Sequence, residues 1–427
     1  MTCAGHHHRL AAHFSSLLDG GEEMSRALTG VRVLDLTGAL SGPYCTLILG
    51  DLGAEVIKIE PPEGEIFRNI GPYYQGEWSG YFVAVNRNKR GIVLNLKTQA
   101  GREAFYDLVR VSDVVLDNFR PGVLERLRID YPTLSAINPR IITSSITGYG
   151  STGSRKHRAA FDLCVQAAGG ILSVTGQEDG ALAKVGTPIG DLAAGQFAAI
   201  GILAALAERN RSGRGQQVDV SMFDCQVSLL AYWVPWYHLS GVVPKPLGTG
   251  HLGITPHGAY RTKDGQIAMV IGSQKFWTQL CQILGVPDMA TETRFADAKK
   301  RRENRLELKR IMEEILSTRT TAEWMAEMEE VGIPAAPVNT LDETFAEPTI
   351  KERNMVVAVK QPRAGLVHMA GNPVKMSRTP GEEFTPAPTL GEHTREVLTS
   401  LLGYSEERVE SMLDEGSAAQ SNPAEHQ

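Results

Sequence analysis

The sequence predicts an α/β protein built on a mainly parallel sheet. The N-terminal half alternates short β-branched runs with helix-like stretches, a pattern that places helices on both faces of parallel strands. Turn residues, chiefly Gly, Pro, Asn and Asp, lie at or near the ends of these runs. At 427 residues, 42% hydrophobic and 22% charged, the chain has globular composition and length for two or three domains.

The first five strands are VRVLDLT (31–37), EVIKIE (55–60), GIVLNL (91–96), DVVLDNF (113–119) and RIITSSITG (140–148). Between them YCTLILGDLGA and GREAFYDLVRV read as helices. QQVDVSMFD (216–224) supplies another strand, and CQVSLLAYWVPWYHL continues as an apolar, aromatic helix. Near Gly241 the texture changes: GVVPKPLGTGHLGITPHGAYRTKDG is rich in Gly and Pro and reads as a linker or functional loop. A smaller unit follows, with strand QIAMVIG, helix KFWTQLCQILG and charged amphipathic helices. GIPAAPVNT marks a further boundary, before strands and a last helix. Residues 1–27, including the HHH at 6–8, read as a disordered extension, and 415–427 as a disordered polar tail.

A net charge of −6 gives no basic footprint for nucleic acid. Cys3, Cys45, Cys164, Cys225 and Cys281 form no CxxC and no disulfide framework, so a reducing compartment and a cytoplasmic location are expected. No clustered Cys and His suggest a metal. The first 27 residues lack the apolar run of a signal peptide. Leu192–Ala207 is the most membrane-like stretch, but a span needs about 20 apolar residues, so it reads as a buried core helix. GxxxxGK[ST] and GxSxG do not occur, and GYGSTG and GTGHLG lack the strand-to-helix context that gives GxGxxG meaning.

What remains is a set of loops after strand ends, where open α/β sheets bind ligands. NRNKRG, DNFRPGVLERL and GYGSTGSRKHRAAFD carry Lys89, Arg90, Arg120, Arg126, Arg155, Lys156 and Arg158, with Lys97 nearby and Asn86, Asn88 and Asn118 among them. Each alone reads as a solvated surface cation. Together they suggest a polyphosphate ligand. In GTPIGDLAAGQFAAIGILAAL (186–206) Asp191 stands at the mouth of an apolar helix. It reads either as a helix N-cap or as a nucleophile, and the pattern alone favours the cap.

The segments GVRVLDLTGALSGP, LGDLGAEVIKIEPP, NRNKRGIVLNLK, DNFRPGVLERL, ITGYGSTG, AAFDLCVQAAGG, GTPIGDLAAGQFAAIGILAAL and LGEHT occur in this order. In them the chain resembles the class III coenzyme A transferases, a superfamily that includes the α-methylacyl-CoA racemases. The resemblance spans residues 28 to 414. It implies a Rossmann-like large domain from both chain ends (28–222 and 340–414), a linker helix (223–245) and a smaller α+β domain from the middle (246–339). It also implies an interlocked homodimer.

By this resemblance Asp191 is the acyl-accepting nucleophile, with Gly190 leaving room for the acyl group. The CoA-contacting positions fall on Leu40, Ser41, Leu94, Asn95, Leu96, Lys97, Asn118, Phe119, Arg120, Arg126, Ala159, Ala160, Phe161 and Asp162. The loop GTGHLGITPHGAY resembles that of transferases using succinyl-CoA and dicarboxylic acids, which implies an acceptor lid with Gly248, Gly250, His251 and Arg158. Substrates are then an acyl-CoA and a free carboxylic acid, with no permanently bound cofactor, metal, nucleic acid or membrane. Leu40 and Pro61 depart from the oxalate-using branch, which carries glutamine and arginine there.

Two other functions compete. The racemases pair the aspartate with a histidine, but AFD places Phe161 at that position, and phenylalanine cannot move a proton. A non-enzymatic acyl-CoA-binding protein would have no use for Asp191.

Overall fold

The computed structural model describes residues 26–421. The expected N-terminal extension therefore lies almost wholly outside the described residues, as does the HHH. The chain divides into two compact units. One joins the chain up to Thr147 with Ala194–Val220 and the segment from Asn354, and the other joins Gly148–Ala193 with Ser221–Arg353.

The first unit is built on one large sheet. Its strands are β1 (Arg32–Asp35), β2 (Glu55–Glu60), β3 (Lys89–Leu94), β4 (Val114–Asp117), β5 (Ile142–Thr147) and β6 (Gln217–Ser221). They lie in the order 3-2-1-4-5-6, with β1 to β5 paired in parallel. This is the order of the doubly wound dinucleotide-binding fold, with its switch point between β1 and β4. Val33, Leu34, Ile57, Ile92, Val93, Val114 and Leu116 are all buried, as expected of parallel strands covered on both faces. Helix α1 (Ser41–Asp51) follows β1. After β3, Thr98 caps the helix Gln99–Arg110 by accepting from Gly101 N at 3.1 Å.

The third segment of this unit adds an antiparallel hairpin, Val356–Gln361 with Gly365–Ala370, and the helix Glu406–Asp414. The expected disordered tail is corrected as far as Ser421. Ala418–Ala419 pairs antiparallel with β3, and Asn95 N donates to Ser417 O at 2.9 Å. The open edge of β3 supplies the partner that the polar segment lacks by itself.

The second unit carries a three-stranded antiparallel sheet, ordered Ala335–Pro337, Gln266–Val270, His257–Arg261. Its core gathers the buried Trp277, Leu280, Met312 and Trp324 from the surrounding helices and Phe295 from a turn. The expected linker helix is broken into Met222–Leu229 and Trp233–Ser240, with Ala231 at φ 45° between them. This unit also holds α2 (Asp162–Ala168) and the start of α3 (Ile189–Ser212), which continues into the first unit. Among the described residues α3 is the one helix long and apolar enough to cross a membrane, and half of its most apolar window is buried. Its small residues have a packing reason. A Cβ on Gly195 would lie 2.6 Å from Ser41 O, so glycine lets α3 pass close to α1.

Candidate active site

In the first unit a cleft of about 690 Å³ lies beyond the C-terminal ends of β1 to β4. That is where doubly wound sheets bind their ligands. Leu36, Ile59, Leu94, Leu96 and Phe119 give it apolar walls, and Lys97, Arg102 and Arg126 give it positive charge. An apolar slot with guanidinium and ammonium groups suits a ligand that joins a flat or flexible body to phosphate.

Buried charge fixes the cleft's wall. Asp35, wholly buried, accepts from Thr37 N at 2.9 Å and from Thr46 Oγ1 at 2.6 Å, and pairs with Lys89 Nζ at 3.0 Å. Burial pushes its carboxyl up, but Lys89, Lys58 and hydrogen bonds from the Thr37 and Thr46 hydroxyls outweigh burial and hold it at about 2. Lys58 Nζ donates to Thr37 O at 2.9 Å and pairs with Glu65 at 2.9 Å. Glu65 Oε2 in turn accepts from Ala39 N at 2.9 Å, with Ala39 at φ 64°. A left-handed alanine is strained and persists because its surroundings hold it.

Of the residues expected at CoA, Leu94, Asn95, Leu96, Lys97, Phe119 and Arg126 line this one cleft. Asn118 braces it. Its Nδ2 donates to Gly38 O at 2.7 Å and its Oδ1 accepts from Gly38 N at 3.1 Å, tying the loops after β1 and β4 together. Leu40 and Ser41 are buried at the start of α1 and Arg120 is exposed; none of the three lines the cleft. Ala159, Ala160, Phe161 and Asp162 belong to the other unit.

The expected basic cluster is corrected at NRNKRG. Lys89 is consumed by Asp35, Pro43 O and Asn86, and Arg90 pairs with Glu55 and Glu396. Asn88 donates to Asp51 Oδ1 at 2.8 Å. These side chains are structural. The sequence reading missed Thr37, Gly38, Glu60, Glu65 and Arg102, whose one signal was their place just after strand ends or in the next helix turn.

In the second unit Asp191 is not the N-cap. The helix α3 begins at Ile189, so Asp191 is its third residue. Nor does Gly190 make room for an acyl group: a Cβ there would meet Val165 Cγ2 at 2.7 Å and Asp162 Oδ1 at 3.0 Å. Glycine is needed because α2 packs directly against this turn. Asp162 Oδ1 accepts from Gly190 N at 2.8 Å, and its Oδ2 accepts from the buried Gln166 at 2.8 Å. Burial, then the Asp162 charge, raises the Asp191 carboxyl to about 7. The helix N-terminus opposes that shift by favouring the anion.

Phe161 is 72% exposed and offers no proton-transferring atom. In the Gly/Pro-rich loop Gly248 has φ 59° and its N donates to Gly176 O at 2.9 Å, while Gly250 N donates to Leu247 O at 2.8 Å. His251 and Gly250 line a second cavity, of which Arg158 is not a part.

Residues 28–394 match the sequence profile of CoA-transferase family III. The chain belongs to this family. Among similar proteins, the mouse succinyl-CoA:glutarate CoA-transferase is 37% identical, over 92% of this chain and 90% of the relative. The succinyl-CoA:mesaconate CoA-transferase of Haloarcula hispanica is 40% identical, over 90% of this chain and 99% of the relative. A crystal structure of a CAIB/BAIF family protein from Brucella suis superposes with a TM-score of 0.79 at 36% identity, covering 88% of this chain and 99% of that one. The protein is thus a family III CoA-transferase, an enzyme acting on CoA thioesters, and its large parallel-dominated sheet is the architecture the sequence predicts.

Proposed function

We propose that this family III enzyme moves CoA from succinyl-CoA to a short dicarboxylic acid through a covalent adduct on Asp191. The carrying observation is Asp191 itself, a largely buried first-turn carboxylate that burial and Asp162 raise to about 7. A carboxylate desolvated in this way is more nucleophilic than one in water.

In this reading a carboxylate oxygen of Asp191 attacks the thioester carbonyl, and the C–S bond breaks to give a mixed anhydride and CoA thiolate. The thiolate attacks the aspartyl carbonyl, expelling the donor acid and leaving an aspartyl-CoA thioester. The acceptor carboxylate then attacks that thioester, releasing the thiolate and forming a second anhydride. Return of the thiolate to the acceptor's acyl carbon completes the transfer and frees Asp191. Atoms and charge balance throughout, with no oxidant or metal.

The cleft with Leu94–Lys97, Phe119 and Arg126 is the proposed seat of CoA, Lys97 and Arg126 meeting its phosphates. The donor and acceptor classes follow the named relatives and the GTGHLGITPHGAY loop. The functional form is proposed to be a homodimer.

Mass spectrometry of the enzyme incubated with succinyl-CoA tests the reading. A succinyl or CoA adduct is expected on the peptide containing Asp191, absent in Asp191→Ala. Full exchange activity in Asp191→Ala would overturn it.

A further inference from the structure

The second unit holds a cavity of about 370 Å³ beside the Gly/Pro-rich loop. Arg302, Arg305 and Lys309 line it. Arg302 lies in the last turn of the helix Ala298–Glu303, and Arg305 and Lys309, four residues apart, share one face of the helix Arg305–Leu316. The acids next to them in sequence are engaged elsewhere: Glu303 with Lys299 and Lys300, Glu307 with Arg294. One carboxylate, Glu178, lines the cavity, its Oε1 3.7 Å from Arg305 Nε. That pairing is long and half-exposed, hence weak and displaceable. Three positive charges therefore face one negative charge.

His251 also lines the cavity, and its ring is set by the backbone. Its Nδ1 accepts from Gly253 N at 3.0 Å and from Ile254 N at 3.1 Å. Nδ1 carries no proton in that arrangement, so the ring's N–H is at Nε2 and is free of the turn. His257 stacks on it, with ring centroids 5.1 Å apart at 23°. The His257 Nδ1 is a buried atom without a hydrogen-bond partner, in a ring that also lines the cavity. Tyr232 and Trp236 flank His251 at 6.0 Å and 5.8 Å, and Leu252 and Leu306 add apolar wall.

A compact anion with a short apolar body fits this combination of a preset N–H donor, convergent guanidinium groups and an apolar wall. We propose that this cavity binds the free carboxylate of a short dicarboxylate substrate, through His251 Nε2–H and the Arg302 and Arg305 guanidinium groups. It is a specificity site, separate in role from the nucleophile, and it rests on the dicarboxylate reading of the proposed function.

Steady-state exchange from succinyl-CoA to glutarate and to valerate, an acid of equal chain length with one carboxylate, tests it. Removing a charge-assisted hydrogen bond lowers binding about tenfold to a hundredfold. The glutarate-to-valerate ratio of kcat/KM is therefore expected to fall at least about tenfold in Arg302→Gln/Arg305→Gln. His251→Asn keeps an acceptor near the Nδ1 position and deletes the donor, so it should lower the ratio too, with the loop intact. His251→Gln, whose amide reaches the Nε2 position, should retain more of the ratio than His251→Asn. Calorimetric titration of each folded variant with glutarate gives a readout independent of turnover, and weaker binding is expected in both the arginine and the Asn variants. A diacid-preferring wild type whose ratio and affinity survive all these changes overturns the cavity assignment alone. A wild type that prefers valerate overturns the dicarboxylate reading and the cavity with it.

Discussion

The proposed nucleophile Asp191 carries a cost to the fold. Its folded-state value of about 7 lies above the ordinary 3.8. Between those two values the folded state holds more protons than the unfolded chain, so stability from this group is full below about pH 4 and is lost as pH rises through 7. Asp191→Asn removes the charge and should therefore stabilise the protein at pH 8 by at most about 4 kcal/mol, with the gain vanishing near pH 4. Urea unfolding at the two pH values measures this, and an equal effect at both would contradict it. Kinetically, kcat/KM for the donor thioester should rise with pH to an inflection near 7, where the free nucleophile ionises. Asp162→Asn keeps an acceptor for Gly190 N but removes the like charge, so the inflection should move down. A flat profile from acid to mildly alkaline pH would refute the role of ionisation. The place of Asp191 before a run of small residues marks it for attention but by itself favours a helix cap, and the nucleophile reading comes from the family resemblance. Its position inside the helix was not legible, because Pro188 and Gly190 obscure where the first turn begins.

At the scale of elements, the parallel strands were legible because each is a short β-branched run buried on both faces. Their side-chain partners were not. NKRGIVLNLK contains Lys89 and Lys97, alike by residue type and eight positions apart on one strand-and-loop segment. One is buried against Asp35 and the other lies exposed on the cleft. Only the sheet order, which puts β3 two strands from β1, decides which is which. Lys89→Met removes the ion partner in direct contact with buried Asp35 and should cost about 3–5 kcal/mol of stability. Lys97→Ala should cost well under 1 kcal/mol and instead weaken CoA binding, as expected of an exposed cation. Comparable denaturation midpoints for the two variants would overturn the distinction. The terminal strand was also illegible, since two alanines between polar residues carry no periodic signal. Ending the chain after Glu415 removes Ser417 O from Asn95 N and uncovers the edge of β3. The apparent affinity for CoA should fall, measurable by equilibrium titration, because Leu94–Lys97 form one wall of its proposed cleft. Unchanged affinity in a folded truncation would show that the wall needs no such brace.

For the whole molecule, hydrophobic patterning separates core from surface well in the first unit and poorly in the second. CQVSLLAYWVPWYHL reads as an apolar, aromatic helix, yet its Leu239 is 84% exposed in the single chain, and Val243 in the loop that follows is 72% exposed. With Trp233, Trp236 and Tyr237 they border one apolar groove or adjoin it in sequence. Exposed apolar side chains grouped in this way are what an interface would bury. A second copy of the chain is the occupant that the resemblance implies, and the sequence pattern then makes sense, since these residues would be buried in the assembly rather than in the chain. Light scattering on the eluting protein should give twice the chain mass at micromolar concentration. Leu239→Glu with Val243→Glu places two charges where desolvation would be required and should shift the protein towards monomer, while far-ultraviolet circular dichroism stays that of the folded chain. A wild-type protein that elutes as a monomer would remove the dimer, and an undiminished dimer in the double variant would move its interface away from this segment.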